Sequence, residues 1–474
     1  ECGETIDTKT YPALGHEFVE HEGKDATCTE IGWEAYETCS LCGYSTYVEI
    51  EKLPHAYVNG VCTVCGATDP DYVNGTEGLR YTLNSDNRSY ACTGIGTATT
   101  TDIVISSEYN GLPVTMIGAG AFQRSKLTSV VVPDSVTLIA NGAFEACSDL
   151  ISAVLPNSVT LMGELVFFNC ASLTSIEIPY GVDSIAMGTF ANCVSLTSIV
   201  IQDGVTSIEQ AAFANCAGLT SVFIGERVAS FGEGAFAFCN SLTQISVNKI
   251  NPYYYSVNNC IVEKETKTLV VACSSSIIPT DGSVTSIAKN AFFGCLGLKS
   301  IEIPASISSI SEGAFAYCKD LESLTVAAGN DSYHSEGNCI IVTAIKTLIV
   351  GCKTSIIPAD GSVICISDYA FYGCFELESI KIPESVMYIG EYAFAGCYGL
   401  TSIVIPDSVT SLGDFAFENC GNLSSVAIGN GVTTIGANTF ESCENLTSVV
   451  IGKNVTSIGE YAFAGCFGLT EVKF

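Results

Sequence analysis

The sequence predicts a repeat solenoid, mainly β with short helical or 3-10 turns, and three observations carry that prediction. First, an Ala-Phe dipeptide or close variant recurs, with its Phe at Phe122, Phe144, Phe167, Phe190, Phe213, Phe236, Phe292, Phe315, Phe371, Phe394, Phe417, Phe440 and Phe463. The steps are 22, then 23 four times, then 56, 23, 56 and 23 four times, and a fixed period of this size is the signature of a stacked array. Second, the aligned copies read A-F-x-x-C-x-x-L-T-S-I-x-I-P-x-S-V-T-S-I-G-x-x, in which L-x-x-I-x-I alternates with the period of a strand. Third, hydrophobic residues are 47% of the chain but come in short Val- and Ile-rich runs. None approaches the ~18 apolar residues of a membrane-spanning helix.

Each 23-residue unit reads as two extended stretches and a turn. Leu219, Val222 and Ile224 point inward while Ser221 and Phe223 point outward. The Pro or Gly that follows ends the strand, since Pro donates nothing to the next ladder position. S-V-T-S-I-G is a second stretch, and x-x-A-F-x-x-C is a turn or brief helix whose Ala and Phe plug the core between rungs. No single unit buries that apolar set, so stability comes from stacking on neighbours. A column of cysteines at a fixed offset from Ala-Phe, from Cys147 and Cys170 through to Cys466, reads as packing by small buried thiols. Exported free thiols in turn point to a reducing habitat.

The two 56-residue steps each contain the same 33-residue insertion, placed near 250–282 and 329–361. The copies begin at Asn251 and Asn330, 79 residues apart. In each, two cysteines flank a hairpin that closes near residues 266–267 or 345–346. Cys260 with Cys273, and Cys339 with Cys352, are therefore candidate cross-strand disulfides.

The array occupies 118–474. Ahead of it, residues 71–117 alternate strand patterns with Asn-Ser-Asp-Asn and Asn-Gly turns, a small β-meander placed to cap the first rung. Residues 1–70 differ again, with three of the four histidines, the single Trp33 and six cysteines. Cys39-x-x-Cys42 and Cys62-x-x-Cys65 have the spacing of a zinc ribbon, in which two knuckles supply four thiolates. Cys39, Cys42, Cys62 and Cys65 are thus candidate ligands of a structural zinc, which would hold together a segment too short to build much core. His16, Cys28 and His55 compete as ligands, and disulfides or free thiols fit the same spacings. Four thiolates would leave no open position for catalysis.

The pattern L-x-x-I-x-I-P-x-x-V-x-x-I-G-x-x-A-F-x-x-C, from about Leu112 to Phe474, resembles the BspA, or Treponema pallidum-type, leucine-rich repeat. The front segment, with ATCTEIGWEAYETCSLCGY, resembles short tandem modules in surface proteins of gut Firmicutes. These resemblances imply an extracellular or cell-surface bacterial protein whose class of role is adhesion or protein binding. Host or bacterial surface proteins or glycans are the implied partners, and no individual partner is named.

The residues themselves narrow the function further. The formal net charge is −31, from 50 acidic and 19 basic residues, and such a surface repels nucleic-acid phosphates and anionic lipid. Neither nucleic-acid binding nor membrane insertion is expected. Catalysis is not expected either, and the array calls for no cofactor. Its one histidine, His334, corresponds to Tyr255 in the first insertion, so the repeat has not built an active site around it. The outward strand position runs Val131, Val154, Glu177, Val200, Phe223, Ser246, Glu302, Thr325, Lys381, Val404, Ala427, Val450 and Lys473. Val200, Phe223, Val404 and Val450 lead this candidate contact column, joined by Tyr253, Tyr254 and Tyr255 on the first insertion. Two readings remain: a non-catalytic interaction module, or a passive spacer or stalk of a larger surface protein.

Overall fold

The computed structural model describes residues 17–40, 45–55, 57–58, 61–62, 64–65 and 75–474, with backbone alone at 57–58 and 61–62. The chain divides into two units, Glu1–Thr76 and Glu77–Phe474, so the boundary falls a few residues beyond the one expected at 70.

The first unit is a set of small antiparallel pairs. Phe18–His21 pairs with Tyr36–Cys39, Gly32–Trp33 with Glu49–Ile50, and Tyr57–Val58 with Val61–Cys62. Its apolar side chains mostly face solvent, including Phe18, Val19, Tyr47, Val48, Ile50 and Leu53. Among its described residues, Cys28 and Cys39 are the only buried apolar side chains.

In the second unit the 23-residue period becomes two ladders of parallel strands. The L-x-x-I-x-I stretches pair in strict register, Ile199 with Val222 and Val222 with Ile245. The S-V-T-S-I stretches do the same through Ser184, Ser207 and Ser230. The A-F-x-x-C segments are chained turns, and no helix of any kind occurs among the described residues. The backbone explains why the expected helical turns are missing. Two residues per segment lie at positive φ, such as Gly188 (60°) and Asn192 (63°), which interrupts helical geometry. The freed N–H groups bond across rungs instead, as Phe190 N donates to Ala212 O at 2.8 Å.

The core is a stack of repeated contacts. Rings Phe122 through Phe236 stack nearly parallel, with centroids 5.2–5.6 Å apart, within the range of favourable offset aromatic pairs. Beside them most motif thiols donate to the carbonyl of a Phe in the rung before, as Cys216 Sγ does to Phe190 O at 3.1 Å and Cys420 Sγ to Phe394 O at 3.2 Å, while after the short rungs Cys295 donates to Ala272 O and Cys374 to Gly351 O. The cysteine column is therefore packing, as expected, and also satisfies a buried acceptor in every rung. The recurrent Ser of P-x-S-V serves likewise, Ser158 Oγ donating to Val136 O at 2.7 Å.

Each insertion proves to be a hairpin followed by a short rung. Tyr254–Val257, Cys260–Glu263 and Thr268–Val271 are antiparallel neighbours. Thr268–Val271 then joins the ladder in parallel, with Thr268 opposite Ser286, and Thr347 opposite Cys365 in the second copy. In these rungs the backbone bond usually made by Phe is made by Ala272 (to Ala291 O, 2.9 Å) and Gly351 (to Ala370 O, 2.8 Å). The ring column therefore pauses at those two residues, and the buried core falls into three clusters that meet at the insertions.

Asn251 anchors the first insertion. It is fully buried, its Nδ2 donates to Gly225 O and Val228 O, and its Oδ1 accepts from Tyr253 N and Tyr254 N. Asn330 repeats the arrangement. Replacing Asn251 with Ala strands two carbonyls and two N–H groups and is expected to lose about 2–4 kcal/mol. A denaturant titration showing less than about 1 kcal/mol would contradict that role.

Residues 75–117 do more than meander. Arg80–Leu83 pairs antiparallel with Tyr90–Gly94, but Tyr90–Gly94 runs parallel to Leu112–Ile117. Asp102–Val104 is likewise parallel to Ser129–Val131. The segment thus already supplies one strand to each ladder, because its Ile103 and Val114 occupy the buried positions of a rung.

Candidate functional site

The outward column lies where the alternation places it. In Ser221–Ile224, Val222 and Ile224 are buried while Phe223 is exposed. Val200 is 52% exposed, Phe223 36%, Val404 65% and Val450 41%. Two further exposed isoleucines, on the short rungs, were missed in the sequence. In the short rungs, Ser276-Ile277-Ile278-Pro279 and Ser355-Ile356-Ile357-Pro358 stand in for I-x-I-P, with Ser276 and Ile278 buried and Ile277 67% exposed, and Ile356 74% exposed in its copy. Aligning on the Pro rather than on Ala-Phe would have revealed them.

The tyrosine cluster separates. Tyr254 is buried and its hydroxyl donates to Ala229 O, while Tyr255 donates to Ser283 O at 3.0 Å. Both hold the insertion against the array. Tyr253 alone is exposed, and with Ile250, Pro252 and Arg227 it lines a shallow groove of about 420 Å³.

The insertion cysteines, candidates for cross-strand disulfides, stand as free thiols in this structure. A bulge pairs Ile261 with Val271 and then Val262 with Leu269, which takes Cys260 and Cys273 out of direct opposition. Cys260 Sγ instead donates to Asn258 O at 3.7 Å, and Cys273 Sγ lies 3.2 Å from Ser275 Oγ. Cys339 donates to Gly337 O at 3.5 Å and Cys352 Sγ lies 3.3 Å from Thr354 Oγ1.

Of the zinc-ribbon candidates, Cys42 and the side chain of Cys62 lie outside the described residues. Cys39 is buried opposite Phe18. Cys65 is drawn together with Cys28 and His55, their ligand atoms all within 4.8 Å of one another. His16 also lies outside the described residues.

A cleft that the sequence did not announce opens on the turn edge of the array. It encloses about 460 Å³ and is lined by Phe238, Phe293, Tyr369, Tyr372 and Tyr392, with Glu233, Lys289 and Asn290 at its polar side. Phe238 meets Phe293 and Tyr317 edge-on at 5.5 and 5.6 Å, and Tyr317 meets Tyr372 at 4.7 Å. Tyr369, Tyr392 and Phe415 stack in a row at 5.1 and 4.6 Å. Lys289 Nζ sits 3.5 Å from Glu233 Oε1 and 5.9 Å from the Tyr369 ring, a cation held over an aromatic face. Burial pushes the Tyr317 and Tyr372 hydroxyls above their ordinary range, so both are neutral hydrogen-bonding groups at physiological pH.

With the rungs and these surfaces located, the family assignment rests on the repeat itself. The model of the BspA type leucine-rich repeat region matches six copies across residues 115–243, 270–359 and 364–474. The chain belongs to the BspA-type leucine-rich repeat family. Among solved structures it is similar to a leucine rich cell surface protein from Faecalibacterium prausnitzii A2-165, at 28% identity over 85% of this chain and 95% of that one, with a TM-score of 0.46. A leucine-rich repeat protein from Bacteroides ovatus ATCC 8483 is similar at 24% identity over 85% and 94%, with a TM-score of 0.42. The pneumococcal vaccine antigen PcpA is similar at 17% over 84% and 92%, with a TM-score of 0.47. No curated protein matches the chain. Among the described residues, no helix is long and apolar enough to cross a membrane.

Within the BspA-type rungs the cleft residues occupy unusual positions. The residue before Ala-Phe and the residue before Cys are left-handed in rung after rung, and the N-terminal rungs place Gly120, Gly142, Ala146, Leu165, Gly188, Asn192, Ala211 and Asn215 there, as Gly234, Asn290 and Gly313 stand there beside the cleft. Around the cleft the same positions hold Phe238 (φ 59°), Tyr317 (59°), Tyr369 (58°), Tyr392 (53°) and Phe415 (57°). A bulky residue in this region is disfavoured by about 1 kcal/mol or more. Glycines accommodate two of them. A Cβ on Gly294 would lie 2.7 Å from the Phe238 ring, and one on Gly373 would lie 2.7 Å from the Tyr317 ring. The same pairing thus recurs in both copies of the 79-residue duplication.

Proposed function

We propose that this chain is a non-catalytic adhesion and protein-interaction module, secreted or displayed on a bacterial surface, and that the aromatic cleft is its principal contact. The observation that carries this reading is the set of aromatic residues gathered around a cleft of about 460 Å³ at one edge. Half-buried tyrosines beside a paired charge are also the composition of interface hot spots. The apolar column adds exposed area along the strand face, and Ile277 and Ile356 are exposed on the short rungs. The charge of −31 favours a neutral or basic partner surface. Leucine-rich-repeat solenoids generally act as scaffolds for binding other proteins, which agrees with this reading.

Tyr392→Gly tests it. The substitution relieves a left-handed tyrosine but loses two ring stacks, so stability is expected to stay within about 1 kcal/mol of the parent. Binding to host extracellular proteins arrayed on a surface is expected to fall at least tenfold, and Tyr372→Ser should behave alike. Val200→Glu with Phe223→Glu reports separately on the strand face. Retention of glycans but no protein would change the partner class. A well-folded chain that retains neither would favour the spacer reading.

A further inference from the structure

We propose that Cys28, His55 and Cys65 bind a structural zinc ion that holds the N-terminal unit together. Three segments far apart in sequence deliver one thiol, one imidazole and a second thiol to a common point, with every ligand atom within 4.8 Å of the others. Cys65 Sγ lies 3.4 Å from His55 Nδ1. Tetrahedral zinc with Zn–S near 2.3 Å and Zn–N near 2.05 Å requires an S···N edge of about 3.6 Å. The Cys65–His55 pair is therefore already close to one edge of a coordination tetrahedron, with Cys28 Sγ within 4.8 Å of both.

The need for an ion comes from an independent feature of the same unit. Cys28 and Cys39 are its only buried apolar side chains among the described residues, while Phe18, Val19, Val48, Ile50 and Leu53 are exposed. A segment this size with so little core requires a cross-link to stay folded. The donor chemistry selects the metal: two thiolates and an imidazole suit zinc far better than magnesium or calcium. Binding releases the two thiol protons and involves no change of oxidation state. In sequence, Cys62 stands at the knuckle spacing before Cys65, and its side chain lies outside the described residues. The grouping differs from the ribbon that the C-x2-C spacings suggest, because it recruits Cys28 and His55 and leaves Cys39 aside.

The full chain, stripped with chelator and titrated with zinc or cobalt(II) alone, decides the matter. The wild-type chain is expected to take up zinc and, with cobalt, to show tetrahedral visible bands with thiolate charge transfer. Cys28→Ser and His55→Ala should each weaken uptake at least tenfold. His55→Cys should restore it with added thiolate absorption, which separates a ligand from a residue needed only for folding. Cys39→Ser should keep the His55-dependent cobalt spectrum. Zinc uptake that survives both Cys28→Ser and His55→Ala would overturn the assignment, as would a chain that takes up none. Failure of His55→Cys to restore binding, or loss of the spectrum in Cys39→Ser but not in Cys28→Ser, would overturn it equally. The melting of the array, which has its own core, serves as the control for folding in every variant.

Discussion

Between pH 9 and 11 the array is expected to lose stability steeply, with a slope set by its buried thiols. Burial pushes the Cys147 thiol up to about 11, and Cys260, Cys318, Cys339 and Cys420 up to about 12. In the unfolded chain these groups titrate near their ordinary value of about 8.5. Below that value both states hold the proton and pH has no effect through them. Above it the unfolded state binds fewer protons than the folded one, so the free energy of unfolding falls as pH rises. Each thiol contributes about 1.4 kcal/mol per pH unit across its own window, so the two in each of the blocks around Cys318 and Cys420 remove about 3 kcal/mol per unit from that block. Over two pH units that loss reaches the lower end of the stability of many domains, about 5–15 kcal/mol. Tyrosines such as Tyr81, pushed up to about 12 by burial, act in the same direction but begin higher. An onset near pH 9 therefore identifies the thiols. Melting temperatures measured from pH 7 to 11 should be flat and then fall, and Cys420→Ala should make the fall shallower. A melting temperature unchanged to pH 10.5 would refute the account.

The second large effect is expected from Phe213→Ala. Phe213 is fully buried and stacks on Phe190 and Phe236 at 5.2 Å on either side. Removing the ring leaves a cavity that touches two rungs at once, a loss of about 3–5 kcal/mol. In a linear array only neighbours feel it, and the core is already divided at the insertions. Unfolding should therefore split, with the block around Phe213 melting first and the C-terminal block close to its original temperature. Phe463, partly buried and stacked on Phe440 alone, should cost clearly less when replaced. Equal losses at Phe213 and Phe463, with a single transition in both, would show that stacking is not what holds the rungs.

How much of this could be read from the sequence depends on the range of the cause. The rung, its register and its buried face were legible because they depend on residues within one 23-residue period. Phe223 and Val200 face outward for the same local reason. The short rungs were not legible, since Ala272 and Gly351 replace the Phe that marks the phase, and so Ile277 and Ile356 were missed. Tyr254 looked like a contact residue because sequence shows aromatic character but not the Ala229 carbonyl that its hydroxyl meets. The cleft escaped because it joins Phe238 to Tyr317 and Tyr372 across the insertions, and nothing local links them. Cys65 sits with Cys28 and His55 although its spacing to Cys62 suggested a different grouping, for the same long-range reason.

The left-handed positions have one further consequence. Their backbone shape is imposed by the rungs above and below, so it does not change when Gly, Asn, Tyr or Phe stands there. Each is a socket into which a side chain can be exchanged at a penalty of about 1 kcal/mol, without disturbing register. A lineage can therefore rewrite the turn edge letter by letter while the scaffold stays fixed. Such a molecule can change the chemistry of that edge without refolding.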